Sequence, residues 1–238
     1  MIRALDVASS LAASVIRLGN GLTANSIGPR PAKLLELYDF EACPYCRKVR
    51  EALTAIDLDA IVYPCPRGER RFRARVKKLG GREQFPYLVD PNTKMALYES
   101  DAIVRYLYAT YGAGDPPMWT RLAPANLLSS YLASAYRLGA GRAAEGARKH
   151  PQQLLELWSF EASPYCRLVR EALCGLELPY ILHNVGKQSP RREALVRRSG
   201  KMMVPYLADP NTGQEMFESA DIVAYLYDTY GKHRPRRL

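Results

Sequence analysis

Apolar residues recur along this chain at helical and strand spacings, and the whole succession occurs twice. Leu5, Ala8, Leu11, Ala12, Val15 and Leu18 fall three or four residues apart, on one face of a predicted helix. Gly19 and Gly21 end that helix. A loop then leads to a strand predicted at roughly 34–39. The next helix starts after Cys43 with Pro44 in its first turn, where the missing N–H would have no helical partner anyway. A short strand near 60–63 and a basic helix through roughly 69–79 follow. Pro86 opens another strand, Asp90-Pro91-Asn92-Thr93 turns it into a hairpin, and a second short strand reaches Tyr98. A last helix runs from about Ser100 to Tyr111. The predicted order is βαβαββα with one amphipathic helix in front.

The second pass begins about 120 residues later. Leu34-Leu35-Glu36-Leu37 returns as Leu154-Leu155-Glu156-Leu157, and Val49-Arg50-Glu51-Ala52-Leu53 as Val169-Arg170-Glu171-Ala172-Leu173. Asp90-Pro91-Asn92-Thr93 returns as Asp209-Pro210-Asn211-Thr212, so the second copy is one residue shorter between these points. The repeat reaches back to the N-terminus, where Arg17-Leu18-Gly19 matches Arg137-Leu138-Gly139. Residues 1–30 hold few acids and three arginines, which could pass for an organelle address. A disposable address has no reason to recur in mid-chain, so this helix is expected to belong to the folded unit. The expected division is 1–117 and 118–238, with the helices at 4–18 and 122–138 packed on the units and the halves fixed as an internal pseudo-dimer.

Composition narrows the class. The chain has 238 residues, 47% of them hydrophobic, enough for a core in each half. No apolar run reaches membrane-spanning length. The net charge is +10, spread as +4 over residues 1–120 and +6 over the rest. No helix-turn-helix, zinc-finger or aromatic RNA-binding signature accompanies that charge, so no nucleic-acid partner is expected. The basic helix (Arg70, Arg71, Arg73, Arg75, Lys77 and Lys78) reads either as a steering patch for an anionic ligand or as a solvated face. Five cysteines at unlike spacings do not form a secreted disulfide framework. They place the chain in the cytoplasm or another reducing compartment, organelles included.

The chemistry concentrates in one turn. Phe40-Glu41-Ala42-Cys43-Pro44-Tyr45-Cys46-Arg47 carries two thiols, whereas its repeat Phe160-Glu161-Ala162-Ser163-Pro164-Tyr165-Cys166-Arg167 has lost the leading one. Cys43 stands at a helix N-terminus, where partial positive charge favours thiolate, with Arg47 one turn along. Cys46 lies inward on the same helix face and can close a short disulfide. Cys43 thus reads as nucleophile and Cys46 as resolving thiol. A structural thiol pair and a metal or iron–sulfur ligand pair are the alternatives, although two ligands are fewer than zinc generally takes, and no metal is expected. The Ser163 hydroxyl does not ionise near neutral pH, so the second half reads as binding or structural. Cys166 and Cys174 read as buried, and Cys65, between Pro64 and Pro66, as a packed or accessory thiol.

These motifs resemble the thioredoxin-like domain shared by glutaredoxins and the N-terminal half of glutathione transferases. The resemblance rests on the Cys/Ser-Pro-Tyr-Cys turn, on Phe85-Pro86-Tyr87 and Val204-Pro205-Tyr206, and on Glu99-Ser100 and Glu218-Ser219, in that order over 34–112 and 154–231. It implies an α/β chain of two tandem thioredoxin-like domains, each preceded by an extra helix. It also implies glutathione as co-substrate and disulfides or glutathionylated proteins as substrates. Pro86 and Pro205 would be cis. Phe85 and Val204 would offer their backbone to the cysteinyl part of glutathione, and Tyr45 would line the site. Glu99-Ser100 and Glu218-Ser219 would hold the γ-glutamyl end, a carboxylate for the ammonium and a helix terminus for the carboxylate. Ser163 could hydrogen-bond a bound glutathione thiolate. A complete transferase adds a large helical domain, and only about 40 residues lie between the two units. A glutaredoxin-like oxidoreductase therefore leads. A non-conventional transferase or glutathione-binding protein comes second, and a non-enzymatic redox-sensing scaffold third.

Overall fold

The computed structural model describes residues 21–115 and 141–233; the helices expected at 4–18 and 122–138 lie outside the described residues. The first half holds β1 (Leu35–Asp39), α1 (Pro44–Ala55), β2 (Ala60–Pro64), α2 (Arg71–Gly80), β3 (Tyr87–Asp90), β4 (Met95–Tyr98) and α3 (Ser100–Tyr111). The second repeats the order with β5 (Leu155–Ser159), α4 (Pro164–Gly175), β6 (Tyr180–Asn184), α5 (Arg191–Ser199), β7 (Tyr206–Asp209), β8 (Gln214–Met216) and α6 (Ser219–Tyr230). Each half is the βαβαββα unit that the sequence pattern predicts.

Alternation along β1 explains the layering. Successive strand side chains point to opposite faces. Leu35 and Leu37 pack with Val49 and Leu53 of α1 and Ile103 and Leu107 of α3. Tyr38 points the other way and joins Tyr87, Phe72 and Val76 under α2. The second half builds the same three layers, with Leu155, Leu157, Val169 and Ile222 on one face and Trp158, Leu195 and Tyr206 on the other. Burying each such aliphatic side chain contributes about 1.5–3 kcal/mol.

The hairpin after β3 is tied back to the end of α3. Asp90 Oδ1 accepts the Asn92 backbone N–H at 2.8 Å, and its Oδ2 accepts the Tyr106 and Tyr111 hydroxyls at 2.6 Å each. Asp209, Asn211, Tyr225 and Tyr230 repeat the arrangement. The recurrence of Asp-Pro-Asn-Thr in the sequence is thus structural.

The halves share one eight-stranded sheet of order β4-β3-β1-β2-β6-β5-β7-β8. They join at β2 and β6, which run antiparallel and pair Ala60 with Leu182, Ile61 with Ile181 and Val62 with Tyr180. Flanking segments are exchanged as well: Thr23 bridges Lys187, and Arg67 bridges Ala143. Such a junction places an approximate two-fold axis between the halves, the arrangement of a symmetric dimer within one chain.

Candidate functional site

The turn after β1 delivers Cys43 to the N-terminus of α1. Its backbone is extended, and its Sγ accepts the Cys46 N–H at 3.3 Å, so the sulfur caps the helix. Ser163 caps α4 identically, its Oγ accepting the Cys166 N–H at 3.2 Å. Cys43 is 3% exposed and Cys46 fully buried; Tyr45 is an exposed neighbour at the rim. A hydrogen bond from the Cys46 thiol holds Cys43 below the ordinary thiol range, against its burial, with help from the Cys46 and Tyr45 N–H groups and Arg50. Burial pushes Cys46 well up, and the hydrogen bond to Cys43 and the Asp39 charge add to this. The surroundings therefore split the two thiols, easing ionisation of the outer sulfur and opposing it at the inner one.

Arg50, not the expected Arg47, is the cation beside the dithiol. It lies four residues beyond Cys46, one turn further along the same helix face. Its Nη1 binds the Asp39 carboxylate at the end of β1. Burial pushes Asp39 up to about 6 in spite of Arg50. Arg47 is buried and turned toward the second half, 3.5 Å from Glu161. Its lowered pKa follows from desolvation.

Two further loops close on the turn. Phe85-Pro86 and Val204-Pro205 are both cis, as the resemblance implies. The Phe85 ring meets Phe40 edge-on, with centroids 6.3 Å apart, which ties the proline loop to the thiol turn. Gln84 Nε2 donates to the Glu99 carboxylate, which ties that loop to α3. Lys48 of α1 pairs with Asp101 of α3. Cys43, Phe85-Pro86 and Glu99-Ser100 are thus brought to one end of the first half. Glu99 is exposed and Ser100 buried. Glu99 and Glu218 hold φ of 66° and 63° just before their helices, a region that costs a non-glycine residue of order 1–3 kcal/mol.

The second half keeps the backbone and loses the polar fittings. Where the first has Asp39, Cys43, Lys48, Gln84, Phe85 and Asp101, the second has Ser159, Ser163, Leu168, Met203, Val204 and Ala220. Val204 packs into the apolar cluster of Trp158 and Tyr206, and Leu168 is buried. Both members of the Lys48–Asp101 pair are gone together.

The other cysteines are poor nucleophiles. Burial pushes Cys65, Cys166 and Cys174 up. Cys174 accepts the Glu41 N–H at 3.4 Å and donates to the Gly141 carbonyl at 3.2 Å, so it serves the junction between the halves. The basic helix α2 is partly spent on the fold: Arg75 lies over Tyr63 at 4.8 Å and pairs with Glu36, and Arg73 lies over Phe85 at 4.7 Å. Neither Asp39 nor Arg50 stands out in the sequence as a site residue. The contrast of Asp39 with Ser159, immediately before the repeated Phe-Glu-Ala stretch, was the available signal. No described helix is long and apolar enough to cross a membrane.

No curated protein matches the chain. Among solved structures it is similar to the Leishmania protein TDR1, a trimeric glutathione transferase, at 16% identity and a TM-score of 0.31, covering 86% of this chain and 69% of that one. The model of the glutathione S-transferase N-terminal domain matches twice, over residues 37–117 and 157–234. Matched over most of its length and once in each half, the chain belongs to the glutathione S-transferase N-terminal domain family, as a tandem of two thioredoxin-like units.

Proposed function

We propose that the protein is a glutathione-dependent thiol–disulfide oxidoreductase whose first half does the chemistry. The observation that supports this reading is the split between the two thiols: Cys43 caps the helix and is held below the ordinary thiol range, while burial pushes Cys46 up behind it, with Arg50 beside them. In the forward step the Cys43 thiolate attacks the glutathionyl sulfur of a mixed disulfide. A Cys43–glutathione disulfide forms and the substrate leaves as a thiol. A second glutathione, as thiolate, then attacks that disulfide, which releases oxidised glutathione and regenerates Cys43. With a protein disulfide as substrate, Cys43 forms a mixed disulfide with one substrate sulfur and the other leaves as a thiol. Cys46 then loses its proton and attacks Cys43 Sγ, which releases the second substrate thiol and leaves a Cys43–Cys46 disulfide that two glutathione molecules reduce, giving oxidised glutathione.

Glutathione binding in this reading uses Tyr45, the Phe85 backbone beside Pro86, and Glu99-Ser100. The carboxylate takes the γ-glutamyl ammonium and the α3 N-terminus takes the carboxylate. The second half, with Ser163, Val204, Pro205, Glu218 and Ser219, is assigned a structural or binding role. A second reading, a non-conventional transferase, draws support from Ser163, which caps α4 in the way Cys43 caps α1.

Two assays on one preparation separate the readings: reduction of a glutathionylated peptide, and conjugation of glutathione to an aryl halide. Reductase activity lost in Cys43→Ser and retained in part in Cys46→Ser is the expected result. Conjugation that survives Cys43→Ser and disappears in Ser163→Ala supports the transferase reading instead. Wild-type reductase activity in Cys43→Ser overturns the proposal.

A further inference from the structure

Each capped helix is anchored to the opposite half. Arg50 of the first half donates its Nε–H to Glu161 Oε2 of the second at 2.9 Å. Arg170 of the second donates its Nε–H to Glu41 Oε2 of the first at 3.1 Å. The Nη2 atoms close the ring, Arg50 at 3.2 Å from Glu41 Oε2 and Arg170 at 2.9 Å from Glu161 Oε2. Arg47 approaches Glu161 Oε1 at 3.5 Å. These side chains are 1–5% exposed. The symmetry breaks at Nη1, where Arg50 meets the Asp39 carboxylate and Arg170 meets two neutral acceptors, the Ser159 hydroxyl at 3.2 Å and the Phe160 carbonyl at 3.4 Å.

We propose that the thiol-less half is a working part of the dithiol site: across the two-fold axis Glu161 binds the Arg50 guanidinium, Arg170 balances the glutamates around it, and the charges of the two together set how readily Cys43 ionises. This rests on the reading of Cys43 as the reactive thiol. Cys43 is faced by the Cys46 thiol and Arg50, with Asp39 at the inner end of the pair. Glu41, Glu161, Arg47, Arg167 and Arg170 lie behind these, Arg167 at 3.9 Å from Glu41, and Glu51 lies further along α1 against Arg47. At the surface, charges one shell away would be screened by solvent. Inside the junction they act through low-dielectric surroundings, so their signs are felt at the thiol. Removing the Glu161 charge leaves the arginines less compensated and favours the thiolate. Removing the Arg170 charge leaves the glutamates less compensated and disfavours it. Glu161 and Arg170 are thus positioning residues, since neither touches the reacting sulfur.

The test is the pH profile of Cys43 alkylation by iodoacetamide in the full chain, with the labelled peptide identified by mass spectrometry. Glu161→Gln is expected to move the midpoint down, and Arg170→Gln up, by about half a pH unit or more each. The double variant is expected to fall between them. Misfolding alone would push both single variants toward a free thiol's value. Shifts of one sign in both, or profiles that superimpose on wild type, overturn the proposal. Because breaking a buried pair is costly, Ser159→Asp provides a second arm: the first half already holds an aspartate against its arginine at this position. It adds a carboxylate beside Arg170 and is expected to move the midpoint up; an unchanged profile overturns the proposal. Intact reductase activity in Cys43→Ser would instead remove the functional reading, while the alkylation profiles would still decide the coupling.

Discussion

Ile61 and Ile181 face each other across the antiparallel β2–β6 pair, each from the same position of its own copy. The local two-fold axis therefore passes between these two residues, and the ladder that joins the halves is centred on them. Val62 also contributes to the apolar cluster of the second half. Two units that share one sheet, with Val62 of the first packed into the core of the second, should not unfold separately.

The first prediction concerns that cooperativity. Proline at 61 removes a ladder N–H in a central strand and constrains φ, so Ile61→Pro is expected to cost about 3 kcal/mol or more. Trp158 lies in the second half. In a Trp119→Phe background its fluorescence transition is expected to shift together with the far-UV circular dichroism transition. A Trp158 transition left at its wild-type midpoint would show that the halves unfold independently.

A second prediction follows from the buried carboxyls. Asp39 is pushed up from 3.8 to about 6 by burial. A carboxyl that binds its proton more tightly in the fold stabilises the fold at low pH. That contribution is complete below the unfolded value and is lost as pH rises through about 6. Glu161 has the opposite sign: Arg170, Arg50 and Arg47 hold it down at about 2 despite its burial. Its contribution is present above 4.5 and lost as pH falls toward 2. Urea midpoints are therefore expected to rise from pH 2 to about 4.5 and to decline toward 6. Asp39→Ser, which copies the second half, should flatten the decline, worth at most about 3 kcal/mol. Glu161→Gln should flatten the acid limb. A decline that persists in Asp39→Ser would assign it to another group.

How far these features could be read from the sequence depends on the range of the interaction. The element order in each half was legible because it rests on local signals: apolar spacing, Pro44 at a helix start, and the Asp90-Pro91-Asn92-Thr93 turn. The cis peptides at Pro86 and Pro205 followed from motif resemblance. The junction was not legible in detail. Nothing in the sequence singles out Glu41, Glu161, Arg50 and Arg170, because their burial depends on how two copies meet. Arg47 sat one turn from Cys43 on paper, yet it turns across the interface and leaves Arg50 beside the thiols. Comparing the copies residue by residue is what exposes the site. Lys48 and Asp101 are replaced together by Leu168 and Ala220, and Asp39 and Cys43 by Ser159 and Ser163.

A third prediction tests whether the lost fittings matter. Gln84 donates to Glu99, whereas the second half has Met203 at the equivalent place. Gln84→Met leaves the Glu99 carboxylate with only Arg82, at 3.9 Å, among the described partners and loosens the proline loop. It is expected to raise KM for glutathione several-fold, to leave the alkylation profile of Cys43 unchanged, and to alter stability by less than about 1 kcal/mol, as for a part-exposed hydrogen bond. A change in the alkylation profile with KM unaltered would place Gln84 in thiol activation rather than glutathione binding.

The last prediction separates strain from recognition at the α3 and α6 starts. Glu99 and Glu218 both hold positive φ, at 66° and 63°, a conformation that glycine adopts without side-chain conflict. Neither side chain caps its helix. A glutamate kept at such a position in both copies is tolerated at a cost of order 1–3 kcal/mol. Glycine releases that strain but makes the unfolded chain more flexible, by about 0.4–1 kcal/mol. Glu99→Gly and Glu218→Gly are therefore each expected to stabilise the protein by about 1 kcal/mol. Only Glu99→Gly is expected to weaken glutathione binding, measured by calorimetry on the full chain. If Glu218→Gly weakens it equally, the second half binds glutathione too. If neither does, the γ-glutamyl assignment of Glu99 fails and the strained backbone needs another explanation.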